Sequence, residues 1–173
     1  MGYREIFLVL TSVILLSLLM TQINSNTVEG REALQQLELE HVAASLAQQF
    51  VEEAKSKNFD GWVGIVDPPF TPYDQLGKGV GESYPNFNDV DDYDDFNRKF
   101  YVNGENFESD STVTDGVPFN VGIQVQYVSE ANPDSAVSEE TFLKRMTVTV
   151  TSDYIPSSII VKHVFSYYGV NLN

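Results

Sequence analysis

IFLVLTSVILLSLLM, residues Ile6–Met20, is apolar on every side when wound as a helix, and everything after it is acidic and soluble in character. A membrane-spanning helix needs about 20 apolar residues at about 1.5 Å rise each. Thr21, Gln22 and Ile23 extend the segment towards that length. A cleaved secretory signal is a second reading, but its start, MGYRE, carries one Arg and one Glu, and its exit, TQINSNTVEG, offers no A-x-A site. A third is a retained anchor that also packs against copies of itself. Arg4 precedes the segment and the next basic residue, Arg31, lies beyond it. That asymmetry favours an inside N-terminus and an outside C-terminal domain. The sequence therefore predicts an anchor helix over residues 1–25.

Residues 21–30 are polar and end in Gly30, which costs a helix about 1 kcal/mol relative to Ala. They read as a linker or a loosened stretch of helix. Beyond them the helical period returns. Leu39, Ala43, Leu46, Phe50 and Ala54 recur every three or four residues, and Val42, Ala47 and Val51 widen the stripe. Glu32, Glu38, Glu40, Glu52 and Glu53 take the other faces. Lys55 and Lys57 oppose the dipole of the last turn, and Asn58 and Gly61 end it. The economical picture is one long helix, an anchor followed by an amphipathic half over residues 26–58.

Residues 59–173 read as an α+β head. Trp62–Val66 is a candidate short strand, broken by Asp67-Pro68-Pro69. Gly77, Gly79 and Gly81 mark a turn; Lys78 among them is not a phosphate loop, because G-x-x-x-x-G-K-[ST] is missing. Val117–Val128 alternates, with Val117, Phe119, Val121, Ile123, Val125 and Tyr127 on one face. Residues 129–140 read as a polar loop. Leu143–Thr151 alternates again through Met146, Val148 and Val150, and Ile159–Tyr168 is a last strand. Three strands in meander order imply an antiparallel sheet, one face of which the helix stripe covers.

Bulk properties exclude several functions. Ten basic residues against 25 acidic give a net charge of −15, which argues against binding nucleic acid or anionic lipid surfaces. No cysteine is present, so disulfides, thiolate metal sites and cysteine nucleophiles are excluded. No G-x-S-x-G elbow occurs, and no enzyme activity is expected.

An apolar N-terminal helix, an amphipathic continuation, an irregular stretch and a small antiparallel sheet together resemble the type IV pilin and type II secretion pseudopilin superfamily. DVDDYDDF (Asp89–Phe96) followed by KRMTVTV (Lys144–Val150) is similar to a motif pair of MSHA-type minor pilin-like proteins. The resemblance implies a pilin-like fold and a structural subunit of a type IV pilus or secretion filament, held in the bacterial inner membrane with a periplasmic head before assembly. It implies other pilin-like subunits and an inner-membrane platform as partners. Processing after Gly2 would make Tyr3 a methylated N-terminus. Phe7 then falls at mature position five, where pilins carry a glutamate, and Glu5 lies two residues earlier. The alternative is a non-assembling anchored binding or adhesion module that recognises its target through the acidic region 82–115.

The carboxylates of Asp89, Asp91, Asp92, Asp94 and Asp95 invite a calcium reading, since calcium takes six to eight oxygens. The EF-hand pattern fails, because Tyr93 stands at its fifth position and no Gly follows. The competing expectation is a solvated acidic face on a helical turn, with Val90, Tyr93 and Phe96 inward, Asp89 or Asp92 capping, and Arg98 and Lys99 as charge partners. Beyond that optional Ca²⁺, no cofactor is expected.

Overall fold

The structure, a computed structural model, describes residues 2–61, 70–103, 106–108 and 116–167. The strand expected at Trp62–Val66 lies outside the described residues. The fold is α+β and pilin-like, one long N-terminal helix followed by a small antiparallel sheet. The chain divides into two compact units, Met1–Leu39 and Glu40–Asn173.

In the first unit α1 (Tyr3–Lys55) is unbroken through residues 21–30, so the linker expectation does not hold. A single Gly30 is too small a penalty to interrupt a helix already carried by Ile6–Met20 on one side and by residues 31–55 on the other. Phe7, Leu8, Val9, Leu10, Val13, Leu16 and Leu19 are all exposed, on every side of the helix. The hydroxyls of Thr11, Thr21 and Thr27 donate to carbonyls one turn back at 2.7–2.9 Å. These polar groups are thus satisfied without water, as a bilayer would demand. The helix is long and apolar enough to cross a membrane.

In the second unit the remaining turns of α1 bury Ala43, Leu46, Ala47, Phe50, Val51 and Ala54, the stripe read from the sequence. Phe50 meets Tyr84, Phe96 and Phe100 at ring-centroid distances of 5.4–5.8 Å. Glu53, at the edge of the stripe, accepts the Tyr93 hydroxyl at 2.8 Å.

The strands are β1 (Phe96–Asn103), β2 (Asn106–Glu108), β3 (Val117–Ser129), β4 (Asn132–Ala136), β5 (Leu143–Thr151) and β6 (Ile159–Ser166). Their order is β2-β1-β3-β5-β6, all neighbours antiparallel, with β4 pairing the far end of β3. The expected β3-β5-β6 meander is present. One expectation needs correction, and one strand lies in the stretch read as irregular. That strand is β1, whose Phe100 and Val102 are buried. The loop read at 129–140 contains β4, which is exposed throughout and so leaves no apolar trace. Backbone pairing to β3, the Arg145 guanidinium on the Pro133 carbonyl at 3.1 Å and the Lys162–Asp134 ion pair at 3.1 Å hold it.

The inner face of the sheet is set by register. Val121 faces Val150, Ile123 faces Val148, Val125 faces Met146, and Tyr127 faces Lys144. Three of those four pairs are aliphatic; the fourth places a lysine in the core.

Candidate functional site

The chain leaves α1 through Asn58, whose backbone pairs with the acidic turn. The Asn58 N–H donates to the Asn88 carbonyl at 3.2 Å, and the Val90 N–H donates to the Asn58 carbonyl at 3.0 Å. A Cβ at Gly61 would lie 2.6 Å from the Asp89 carboxylate, so any side chain there would displace that carboxylate. The pairing brings Phe59 and Asp60 beside the turn.

Asp91–Tyr93 form one 3₁₀ turn. The Asp89 carboxylate accepts the N–H groups of Asp91 and Asp92 at 3.0 and 3.1 Å, capping it as expected. Asp92 reaches back to the Asn88 N–H at 2.8 Å. Val90 and Tyr93 are buried, but the solvated acidic face is not found. Asp89, Asp91 and Asp92 are 6 %, 3 % and 2 % exposed. The carboxylates face inward because the turn's own amides and a buried cation need acceptors. Arg98 stacks on Tyr84, 5.4 Å from its ring centroid.

The cation is Lys144. Its ammonium lies 2.7 Å from Asp60 Oδ2, 2.7 Å from Asp91 Oδ1 and 3.0 Å from the Phe59 carbonyl, all three of its protons used. It sits 4.8 Å from the Phe59 ring centroid and 5.3 Å from that of Tyr127. The Lys144 and Asp60 side chains are fully buried, and that of Asp91 is 4 % exposed. Asp60 also accepts the Thr71 N–H at 2.8 Å and the Thr71 hydroxyl at 3.1 Å. The Tyr127 hydroxyl donates to the Thr71 carbonyl at 2.8 Å, with Asp60 Oδ2 3.3 Å away. Lys144 thus joins the end of α1, the acidic turn, the Thr71 loop, β3 and β5. The two motifs that carry the family resemblance meet here, Asp91 of DVDDYDDF against Lys144 of KRMTVTV.

Extending the alternation of Met146, Val148 and Val150 back by one step puts Lys144 on the buried face. The sequence held that signal, but a lysine seldom occupies an inward position unless paired. Asp60 had no such signal, since its role depends on Asn58 pairing with the turn.

Burial, reinforced by the Asp91 charge, pushes the Asp89 carboxyl up to about 8. Burial also raises Asp94, although the Val125 N–H, 2.7 Å from its carboxylate, pulls the other way. The Asp92 carboxyl shares a hydrogen bond with Glu82 and raises it. Asp95 is exposed and takes a left-handed φ of 55° at the start of β1. Four of the five aspartates of the calcium reading therefore serve different partners, and the fifth, Asp95, is exposed. Among the described residues no three acidic or imidazole groups are gathered as a metal site requires.

A cleft of about 470 Å³ opens beside the turn, lined by Lys78, Tyr84, Phe87, Asp92, Asp94, Asp95, Phe96 and Arg98 among others. The turn bearing Lys78 is made as expected, with Gly77 and Gly81 at φ of 126° and 90°. At the other end of the chain, Gly2 precedes α1 and Tyr3 opens it, both exposed. Gly2 and Glu5 cap each other reciprocally. The Glu5 N–H donates to the Gly2 carbonyl at 2.9 Å, and the Gly2 N–H to the Glu5 carboxylate at 3.3 Å.

The chain matches no family model, and no curated protein or solved structure is significantly similar to it.

Proposed function

We propose that this chain is a structural subunit of a pilin-like filament, a minor pilin or pseudopilin that waits in the bacterial inner membrane with its head in the periplasm. The observation that supports it most is α1 itself. One unbroken helix is apolar on all sides over its first half and amphipathic over its second, where it forms the core of the sheet domain. A plain anchor has no need of helical continuity into the head. A filament subunit does, because its helices bundle in the assembled core while its heads face outward. Such subunits would bind each other, and an inner-membrane platform, through the first half of α1.

The absence of cysteine makes the test direct. Single Leu15→Cys and Leu19→Cys chains, expressed in the native host, should give disulfide-linked dimers on oxidation, the double variant should give ladders of crosslinked subunits, and native material should begin at a methylated Tyr3. A chain that retains Met1 and remains monomeric in the membrane would sink the proposal.

The second reading, an anchored binding module, is favoured by the cleft beside the acidic turn. Its mixed lining of aromatic rings, carboxylates and the Lys78 and Arg98 side chains suits a small zwitterionic or peptide ligand. That reading predicts a monomer whose partner binding is lost on Tyr84→Ala.

A further inference from the structure

The surroundings of Lys144 support more than an ion pair. A lysine is a nucleophile only as the free amine, so a neighbouring base must first take a proton from it. Lys144 is fully buried, with the Phe59 and Tyr127 rings on its flanks and two carboxylates at 2.7 Å. The two acids are not equivalent. Asp60 is held by the Thr71 N–H and hydroxyl as well as by the lysine. Asp91 has the lysine on one side and another carboxyl, Asp89, on the other. Hydrogen-bond donors thus gather on Asp60, leaving Asp91 the more open to attack at its carboxyl carbon.

We propose that Lys144 and Asp91 condense into an intramolecular amide, a covalent tie between β5 and the acidic turn. Asp60 takes one proton from the ammonium and passes it to Asp91, which becomes the neutral acid. The freed lone pair attacks Cγ of Asp91 and forms the N–C bond. Asp60 then takes a second proton from the nitrogen and delivers it to the Asp91 hydroxyl, which leaves as water as the C–O bond breaks. One ammonium and one carboxylate become one amide and one water, with no oxidant, reductant or activating nucleotide consumed. In bulk water such a condensation is opposed by the strong hydration of the separate ions. Here that hydration is already lost, so a neutral amide replaces a buried ion pair. Two groups held in contact by a fold can react with effective molarities of about 10⁵–10⁸ M. The remaining carboxylate, Asp60, keeps its Thr71 donors.

The test is the intact mass of the full-length chain, purified in detergent and denatured before measurement. The expected mass is one water below that of the polypeptide, with a branched peptide joining Lys144 to Asp91 after proteolysis. Lys144→Arg and Asp91→Ala chains should show no water loss, and Asp60→Asn should lower the crosslinked fraction at least tenfold. The unsubstituted chain decides the matter even if the variants fail to fold. An unchanged mass after prolonged incubation of the folded protein overturns the proposal. So does a branch that ends on Asp60, or a water loss that maps to a succinimide at Asp60-Gly61 or Asp115-Gly116.

Discussion

The two halves of α1 share a backbone and differ in what they ask of their surroundings. Between Ile6 and Ile23 the large side chains are exposed on all sides. Between Ala43 and Lys55 one face is buried and the other carries Glu52, whose Oε1 accepts from Gln48 and from Lys55 at 2.8 Å. Nothing in the backbone separates them. The difference lies in side-chain pattern, so the same helix needs an apolar medium over one half and a sheet over the other. A substitution should therefore act on the head's stability or on membrane residence, according to the half it occupies.

The sharpest way to break this separation is to attack the head where it is most interdependent. Lys144→Met leaves Asp60 and Asp91 buried without their cation, and should cost the head about 3–5 kcal/mol in chemical denaturation, while membrane association stays unchanged. Phe50→Ala removes the ring at the centre of the Tyr84, Phe96 and Phe100 cluster. It should cost about 3–5 kcal/mol, again with no change in membrane association. In the other half, Leu15→Lys should oppose insertion by about 2.5–3.5 kcal/mol. Flotation and carbonate extraction would then release the chain, whereas the head's denaturation midpoint stays where it was. A shift of that midpoint by Leu15→Lys would mean the halves are energetically coupled.

The smallest expected effect is in pH. Asp89 has its folded pKa raised from an ordinary 3.8 to about 8. An acid raised in this way is better accommodated when protonated. Its contribution is complete below about pH 4 and is lost as pH rises through about 8. Asp89→Asn keeps an oxygen for the Asp91 and Asp92 amides and removes the ionisation. Thermal melts between pH 5 and pH 8.5 should decline less steeply for the variant. An equal or steeper decline would place the titration elsewhere, Asp94 being the first candidate.

The helix stripe and strands β3, β5 and β6 were legible because burial of one face imposes a period, and a period survives in sequence. β4 was not, because every residue in it is exposed and backbone pairing alone makes it a strand. β1 alternates through Phe96, Arg98, Phe100 and Val102, but the adjacent Asp run and Lys99 give it the look of a charged loop. The direction of the Asp run is not legible in sequence either. Carboxylates in a row suggest a solvated face, whereas Asp89 and Asp92 cap amides of their own turn and Asp91 neutralises a lysine from another motif. The Lys144 site joins residues far apart in the chain, and no local window contains it.

That distance has a consequence in time. Asp60 lies 84 residues before Lys144, and Asp91 lies 53 before it. On a ribosome, both acids and the apolar stripe of α1 are made well before β5, and until β5 arrives the stripe has no complete sheet to cover it. Non-local contacts of this kind close slowly. Burial of Lys144 between Asp60 and Asp91 therefore has to wait for β5, and the pairing of β6 with β5 follows later still. Until residue 144 arrives, the acidic turn and Asp60 have no buried cation and the head is unfinished.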